Sequence, residues 1–234
     1  MIDMHSHVLP GVDDGASDVE ESLSMLTDSK KQGISIVVAT PHCVVHDDDM
    51  ILDSIKRRQE AYCSLNKKAE ESNLKIPDIK LGFEVYLDVD VTLFTDFRKL
   101  CIEGTNCMLV ELPYRIWTDM NLEFLKSLID KGIKPIIAHV ERYFVFKHNF
   151  EKILRVNDIV FQVNSDSFLS ISSRRRIKKV LENVAICVAG SDMHNTETRK
   201  CSLGAAKKIA EEKFPEYADA VFHRNAWKIL RAKK

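Results

Sequence analysis

IDMHSH, residues 2–7, is a short run with β-strand character that ends on two imidazoles, and six more such runs follow it: ISIVVATPH (34–42), DIKLGFEV (78–85), CMLVEL (107–112), KPIIAHV (134–140), DIVFQVN (158–164) and VAICVAGSD (184–192). Longer amphipathic or polar segments separate them, the alternation expected of βα units around a parallel sheet. Seven strands in that rhythm predict an α/β barrel rather than an open sheet. Helices are expected over 18–32, 50–72, 120–131, 167–182, 197–212 and 215–232. The first shows a capping-box pattern, Ser17 with Glu20 three residues on, sets Val19, Leu23 and Leu26 on one face, and stops before Gly33. No repeat or Ser/Pro-rich linker interrupts the series, so a single domain over residues 1–234 is expected.

Composition narrows the function without naming it. The 234 residues are 45% hydrophobic and 29% charged, the balance of a globular domain with a sizeable core. A formal net charge of −1 supplies no global pull toward nucleic acid or an anionic membrane, so any preference for anions must be local. Met1 leads straight into IDMHSH without the basic start and apolar run of a secretory signal, and no apolar stretch approaches ~20 residues. A cytoplasmic protein without membrane insertion is expected. The six cysteines, Cys43, Cys63, Cys101, Cys107, Cys187 and Cys201, include no CxxC pair, which argues against a disulfide framework and a structural zinc knuckle.

The chemistry gathers where the strands end. His5 and His7 are two apart, hence on one face of a strand. The following loop, LPGVDDG, brings Asp13 and Asp14 with Gly15. Later strands end on His42, Glu84, Glu111, His139 with Arg142 close behind, and the pair Asp192 and His194, which repeats the opening spacing. In α/β barrels the strand C-termini and the loops after them form the catalytic face. Singly, each is as well explained as a structural residue, and Glu111 as the partner of a nearby Lys. Together they point to a cation, because carboxylates and imidazoles are costly to gather unless a metal neutralises and coordinates them. Five of the eight histidines fall at these positions, whereas His46, His148 and His223 lie in polar contexts expected at the surface.

The order HxH, Asp, ATPH, GxE, VELP, AHxERY and SDMHN resembles the polymerase and histidinol phosphatase (PHP) superfamily. Within it the chain is most similar to the bacterial manganese-dependent protein-tyrosine phosphatases of capsule and exopolysaccharide loci. The resemblance implies a distorted seven-stranded (β/α)7 barrel. It also implies metal ligands at His5, His7, Asp14, His42, Glu84, Glu111, His139, Asp192 and His194, and phosphate-contacting arginines at Arg142 and Arg199. AHVERY departs slightly, with Val where Pro or Ile more often follows the His, without touching a ligand.

Five imidazoles and four carboxylates are too many for one tetrahedral ion and suit two or three divalent ions. The mixed nitrogen and oxygen set favours Mn, with Fe or Zn open as alternatives. Such a site matches a phosphate dianion, with in-line attack by water that divalent metals bring to a pKa of ~7 in favourable cases. Arg142 and Arg199 would grip the non-bridging oxygens, or else form plain salt bridges, for instance to Glu141 or Glu197. A phenolate, with a parent pKa of ~10, is a tolerable leaving group where no general acid can be named. A thiol mechanism needs Cys with Arg six residues on, and the residues at that spacing here are Asp49, Ala69, Cys107, Pro113, Met193 and Lys207.

The resemblance implies as substrate the phosphotyrosine tail of a bacterial tyrosine kinase, with a homo-oligomer left open. The basic run at Arg174, Arg175, Arg176, Lys178 and Lys179 reads as a solvated helix face, or as a seat for that acidic tail. Two alternatives stand: a small-molecule phosphatase of the histidinol-phosphate type, for which an enclosing loop is expected, and a metal-binding module that accompanies a polymerase. The missing polymerase segment and the full ligand set disfavour the last.

Overall fold

The computed structural model describes residues 1–146 and 148–231. Among the described residues the apolar runs form nine short strands: β1 (Ile2–Ser6), β2 (Ile36–Ala39), β3 (His42–Cys43), β4 (Asp78–Leu81), β5 (Glu84–Tyr86), β6 (Cys107–Glu111), β7 (Lys134–Ile137), β8 (Val160–Asn164) and β9 (Cys187–Gly190). All pairing is parallel, in a three-stranded sheet β1-β2-β4 and a six-stranded sheet β3-β5-β6-β7-β8-β9. This is the expected α/β fold with parallel sheets, the seven expected runs accounting for nine strands in two sheets among the described residues. Two of the runs break, and the first break has a plain cause. Pro41 has no N–H to give the ladder and separates β2 from β3. Its carbonyl still accepts from Glu84 N at 3.0 Å, and Ala39 O from Gly82 N at 2.9 Å, so both chains continue side by side across the gap. Beyond β9 the chain returns to β1: Asp192 N donates to His5 O at 2.8 Å and His7 N to Met193 O at 3.0 Å.

Buried strand residues such as Met4, Val38, Leu109, Ile136, Val160 and Val188 pack together, and a larger apolar layer lies between strands and helices. The helices are α1 (Val19–Lys31), α2 (Asp48–Glu71), α3 (Asp119–Asp130), α4 (Asn149–Ile153), α5 (Asp166–Leu169), α6 (Ile171–Asn183), α7 (Leu203–Lys213), α8 (Pro215–Asp219) and α9 (Asn225–Arg231). The α1 cap sits one residue later than the motif suggests. Asp18 accepts from Glu21 N at 2.9 Å, while Ser17 donates its N–H and hydroxyl to the Glu21 carboxylate. The helix expected over 167–182 divides at Ser170, whose backbone turns extended. That expected over 215–232 is α8, a π-helical turn at Ala220–Arg224 and α9, its last residue falling outside the described range. That over 197–212 starts only at Leu203. Among the described residues no helix is long and apolar enough to cross a membrane.

Candidate metal centre

All nine residues that motif order singles out meet at the strand C-termini. At the bottom, His5 Nε2 and His7 Nε2 stand 3.1 Å apart, with Glu84 Oε2 3.2 and 3.4 Å from them and Asp192 Oδ1 at 3.7 and 3.5 Å. Donors that bind one ion at ~2.1 Å lie roughly 3 to 3.5 Å from each other, so this spacing fits a coordination sphere. The hydrogen bonds on the far side of each ring strengthen the case. His5 Nδ1 donates to Gln162 Oε1 at 3.0 Å and His7 Nδ1 to Asp13 Oδ2 at 2.6 Å. With both protons on Nδ1, the two Nε2 lone pairs face each other, an arrangement that only a cation or an extra proton relieves.

Three donor groups could each hold an ion: His5, His7 and Glu84; His42, Glu84 and Glu111; and His7, Asp14, His42 and His194. They share His7, His42 and Glu84, so the groups adjoin. His139 Nε2 adds a donor 2.9 Å from Glu84 Oε1 and 3.6 Å from Glu111 Oε1. Among the described residues Glu84 Oε2 and His194 Nε2 are buried without a well-aligned hydrogen bond, Glu84 Oε2 even though His42 Nδ1 lies 2.9 Å away, a penalty that coordination would remove. His194 Nδ1 donates to Asp192 O at 2.9 Å, which leaves that Nε2 as an acceptor with nothing to accept.

Burial opposes charge here, and close partners decide which groups keep it. Desolvation works against the Glu84 carboxylate, yet His5, His139 and His42 hold it well below its usual range. Asp192 is likewise buried and likewise held low, by His5, His7 and Arg142. Burial and the neighbouring Glu84 charge push Glu111 up to about 7. His5 and His7 are raised, because the facing carboxylates outweigh their burial. Burial lowers His139, and burial with the His7 charge lowers His194 to about 4. Protons thus stand in for the positive charge this donor set requires, and a bound cation would displace them.

The backbone is distorted to present two of these groups. His139 and Asp192 adopt left-handed φ of 32° and 53°, a region costly for residues with a Cβ and met mainly where function demands it. Two glycines admit close approach. A Cβ on Gly15 would come 2.2 Å from His7 O, and one on Gly190 would come 2.5 Å from His5 Cβ.

Arg142 and Arg199 converge on one carboxylate. Arg142 Nη2 donates to Asp192 Oδ2, and Arg199 Nη2 to Asp192 Oδ1 at 3.1 Å with Nη1 3.7 Å from Asp14. The alternative partners considered for them, Glu141 and Glu197, make no such contact; Glu141 is turned inward onto Asn164 N and Ser167. Each guanidinium keeps N–H groups to spare, and the side chains are 41% and 39% exposed.

Residues outside the nine ligand positions and the two arginines support the site. Gln162 Oε1 accepts from both His5 Nδ1 and His139 N, and its Nε2 donates to Asn164 Oδ1. Asn164 in turn donates to Asp192 Oδ2 at 2.8 Å. Asp13 accepts from His7 Nδ1, His42 N and Gly15 N, and pairing with His7 overcomes its burial to hold it at about 2. Asn195 Oδ1 gathers Glu197 N, Thr198 N and Arg199 N into a tight loop, which is why no helix forms there and how Arg199 returns to Asp192. The available signals were faint: Gln162 and Asn164 share one strand face at the end of β8, and Asn195 closes SDMHN.

His46, His148 and His223 are exposed, as expected. Burial raises Cys43 to about 11 and Cys201 to about 12, so neither is a nucleophile near neutral pH.

Comparison with known proteins gives the family. A tyrosine-protein phosphatase CpsB of Streptococcus agalactiae serotype V is 30% identical over 248 aligned positions, covering 99% of this chain and 98% of its own. The tyrosine-protein phosphatase YwqE of Bacillus subtilis is 28% identical, covering 99% and 92%. A solved structure from work on YwqE of Bacillus subtilis and CpsB of Streptococcus pneumoniae, described as unique metal-dependent tyrosine phosphatases, superposes with a TM-score of 0.84 at 26% identity, covering 100% of this chain and 96% of that one. Residues 1–231 match the profile described as capsular polysaccharide synthesis, CpsB/CapC, and the chain belongs to that family.

Proposed function

We propose that this chain is a metal-dependent protein-tyrosine phosphatase, a single PHP domain over residues 1–234, whose substrate is the phosphotyrosine tail of a bacterial tyrosine kinase of capsule or exopolysaccharide synthesis, in the cytoplasm. The observation that carries the reading is the facing pair of imidazole lone pairs at His5 and His7, closed by Glu84 and flanked by two half-exposed arginines. The two sheets are read as one distorted (β/α)7 barrel, with β2 and β3, and β4 and β5, as halves of broken strands. The hydrogen bonds from Asp192 N and His7 N to the opposite chain support closure between β9 and β1.

His5, His7, Asp14, His42, Glu84, Glu111, His139, Asp192 and His194 would hold two or three divalent ions, Mn fitting the mixed donor set best and Fe or Zn remaining compatible with it. When bound, the ions supply positive charge for the phosphoryl oxygens and an acidified water as nucleophile. The rest falls to the chain. Arg142 and Arg199, already oriented by Asp192, take the non-bridging oxygens with charge-assisted hydrogen bonds that strengthen as charge spreads in the transition state. Asn164 and Gln162 keep Asp192 and His5 aimed while this happens. The departing phenolate, with a parent pKa of ~10, tolerates a site that names no general acid.

The mouth is open rather than enclosed: Asp14 is 62% exposed and His42 39%. That favours a phosphotyrosine projecting from a polypeptide over a small phosphate ester wrapped by a loop. The test compares turnover of a phosphotyrosine peptide with that of histidinol phosphate by the metal-loaded protein. Preference for histidinol phosphate would overturn the substrate assignment while leaving the metal site standing.

A further inference from the structure

Beside the metal centre the chain keeps apolar side chains in water on a loop that is otherwise firmly built. The segment after β6 is tied to the segment after β7. Leu112 N donates to Tyr143 Oη at 3.0 Å, and Tyr143 Oη donates to Leu112 O at 2.9 Å. Trp117 N donates to Asn149 Oδ1, Asn149 Nδ2 to Arg115 O and Lys152 Nζ to Trp117 O. The Trp117 ring, 1% exposed, packs edge-on to Tyr143 and donates to Pro113 O. With its backbone so engaged and its Trp inside, the loop is held against the segment after β7. Yet Tyr114 is 63% exposed, Ile116 61%, Met120 60% and, across the gap, Val145 53%, with Tyr114 meeting Phe146 edge-on at 4.7 Å. Outward-facing apolar groups gathered on a loop tied down in this way are a feature of surfaces that receive a partner.

Its position says what. Tyr114 follows Glu111 by three residues and Val145 follows Arg142 by three, so the ledge borders the metal centre on the Arg142 side. The opposite border, with Asp14, His42 and Arg199, is polar. A polypeptide whose phosphotyrosine enters between the two arginines must cross this rim. We infer that Tyr114, Ile116, Met120, Val145 and Phe146 form a ledge that receives apolar side chains flanking the phosphotyrosine, and so set sequence preference in the substrate. This rests on the phosphatase reading above and deepens it.

The experiment uses the full metal-loaded chain with three substrates: phenyl phosphate, a phosphotyrosine peptide with Leu or Ile on both sides, and the same peptide with Ser at those places. The wild type is expected to favour the apolar-flanked peptide about tenfold in kcat/KM, mostly through KM, as burial of two or three aliphatic groups would give. Tyr114→Ser with Ile116→Ser should erase that preference and leave phenyl phosphate turnover unchanged, as should Ile116→Asp alone. Thermal melting of each variant checks that it is folded. No preference in the wild type, or an equal loss on all three substrates, overturns the inference. Sedimentation showing that the wild type self-associates through this surface, with peptide kinetics unchanged when the variants dissociate it, overturns it as well and assigns the ledge to a second copy. Wild-type protein that hydrolyses none of the three would sink the phosphatase reading, and this inference with it; hydrolysis without preference sinks the ledge alone.

Discussion

The metal centre has an inner and an outer half, built differently. In the inner half His5, His7, Glu84, His139 and Asp192 are nearly solvent-free and braced by neighbours, His5 and His139 by Gln162, His7 by Asp13, Glu84 by His139, and Asp192 by Asn164 with Arg142. In the outer half Asp14 and His42 are 62% and 39% exposed and reach each other at 3.3 Å, with His194 Nε2 3.4 Å from Asp14. The difference teaches that rigidity is concentrated where charge is buried. There a misplaced donor cannot be replaced by water, whereas the outer donors retain solvent as an alternative.

The sharpest way to break this comparison is to remove an inner ligand. His139→Ala and Asp192→Ala should each lose bound metal as well as activity, because a buried donor set missing one member cannot recruit water to fill the gap. Elemental analysis and turnover on an aryl phosphate check this together; activity retained with at most one ion per chain would end the cluster reading.

Next in size come the arginines at the boundary of the two halves. Arg142→Ala and Arg199→Ala should leave metal content near normal and cut kcat/KM on aryl phosphates by ~10²-fold or more, about 3 kcal/mol, the usual loss for one preorganised charge stabiliser. Wild-type kinetics in both variants would show that phosphate is held by other groups.

Gln162→Ala separates support from ligation. It should weaken metal affinity by roughly 10- to 100-fold, with activity recovered at high metal concentration, since the ligands remain but lose their aim. A deficit that excess metal does not repair would mean that Gln162 does more than orient His5 and His139.

The smallest effect expected is that of thiol alkylation. Of the six cysteines only Cys63 is exposed, and burial raises the thiols of Cys43, Cys107, Cys187 and Cys201. Iodoacetamide should label one thiol per folded chain, measured by mass, with little change in activity. Inactivation with metal retained would reverse the assignment of chemistry away from cysteine.

Sequence alone determined the kinds of group and the places where they would meet. Short parallel strands with ligand-type residues at their C-termini follow from period and spacing, since a two-residue repeat puts His5 with His7, and side-chain chemistry then limits what such a gathering can do. Tertiary structure decided what no local pattern encodes. Pro41 breaks a strand only because its missing N–H falls where a neighbouring strand needs one, which accounts for one of the two breaks that turn seven expected strands into nine. Gln162 is an unremarkable residue at a strand end until β8 sets it against His5 and the backbone of His139. Arg199 reaches Asp192 because Asn195 folds the intervening loop, where a helix from residue 197 was expected. Spacing along the chain carries short-range geometry, but a hydrogen bond between residues 157 positions apart, such as His5 to Gln162, exists only once packing has brought the strands together.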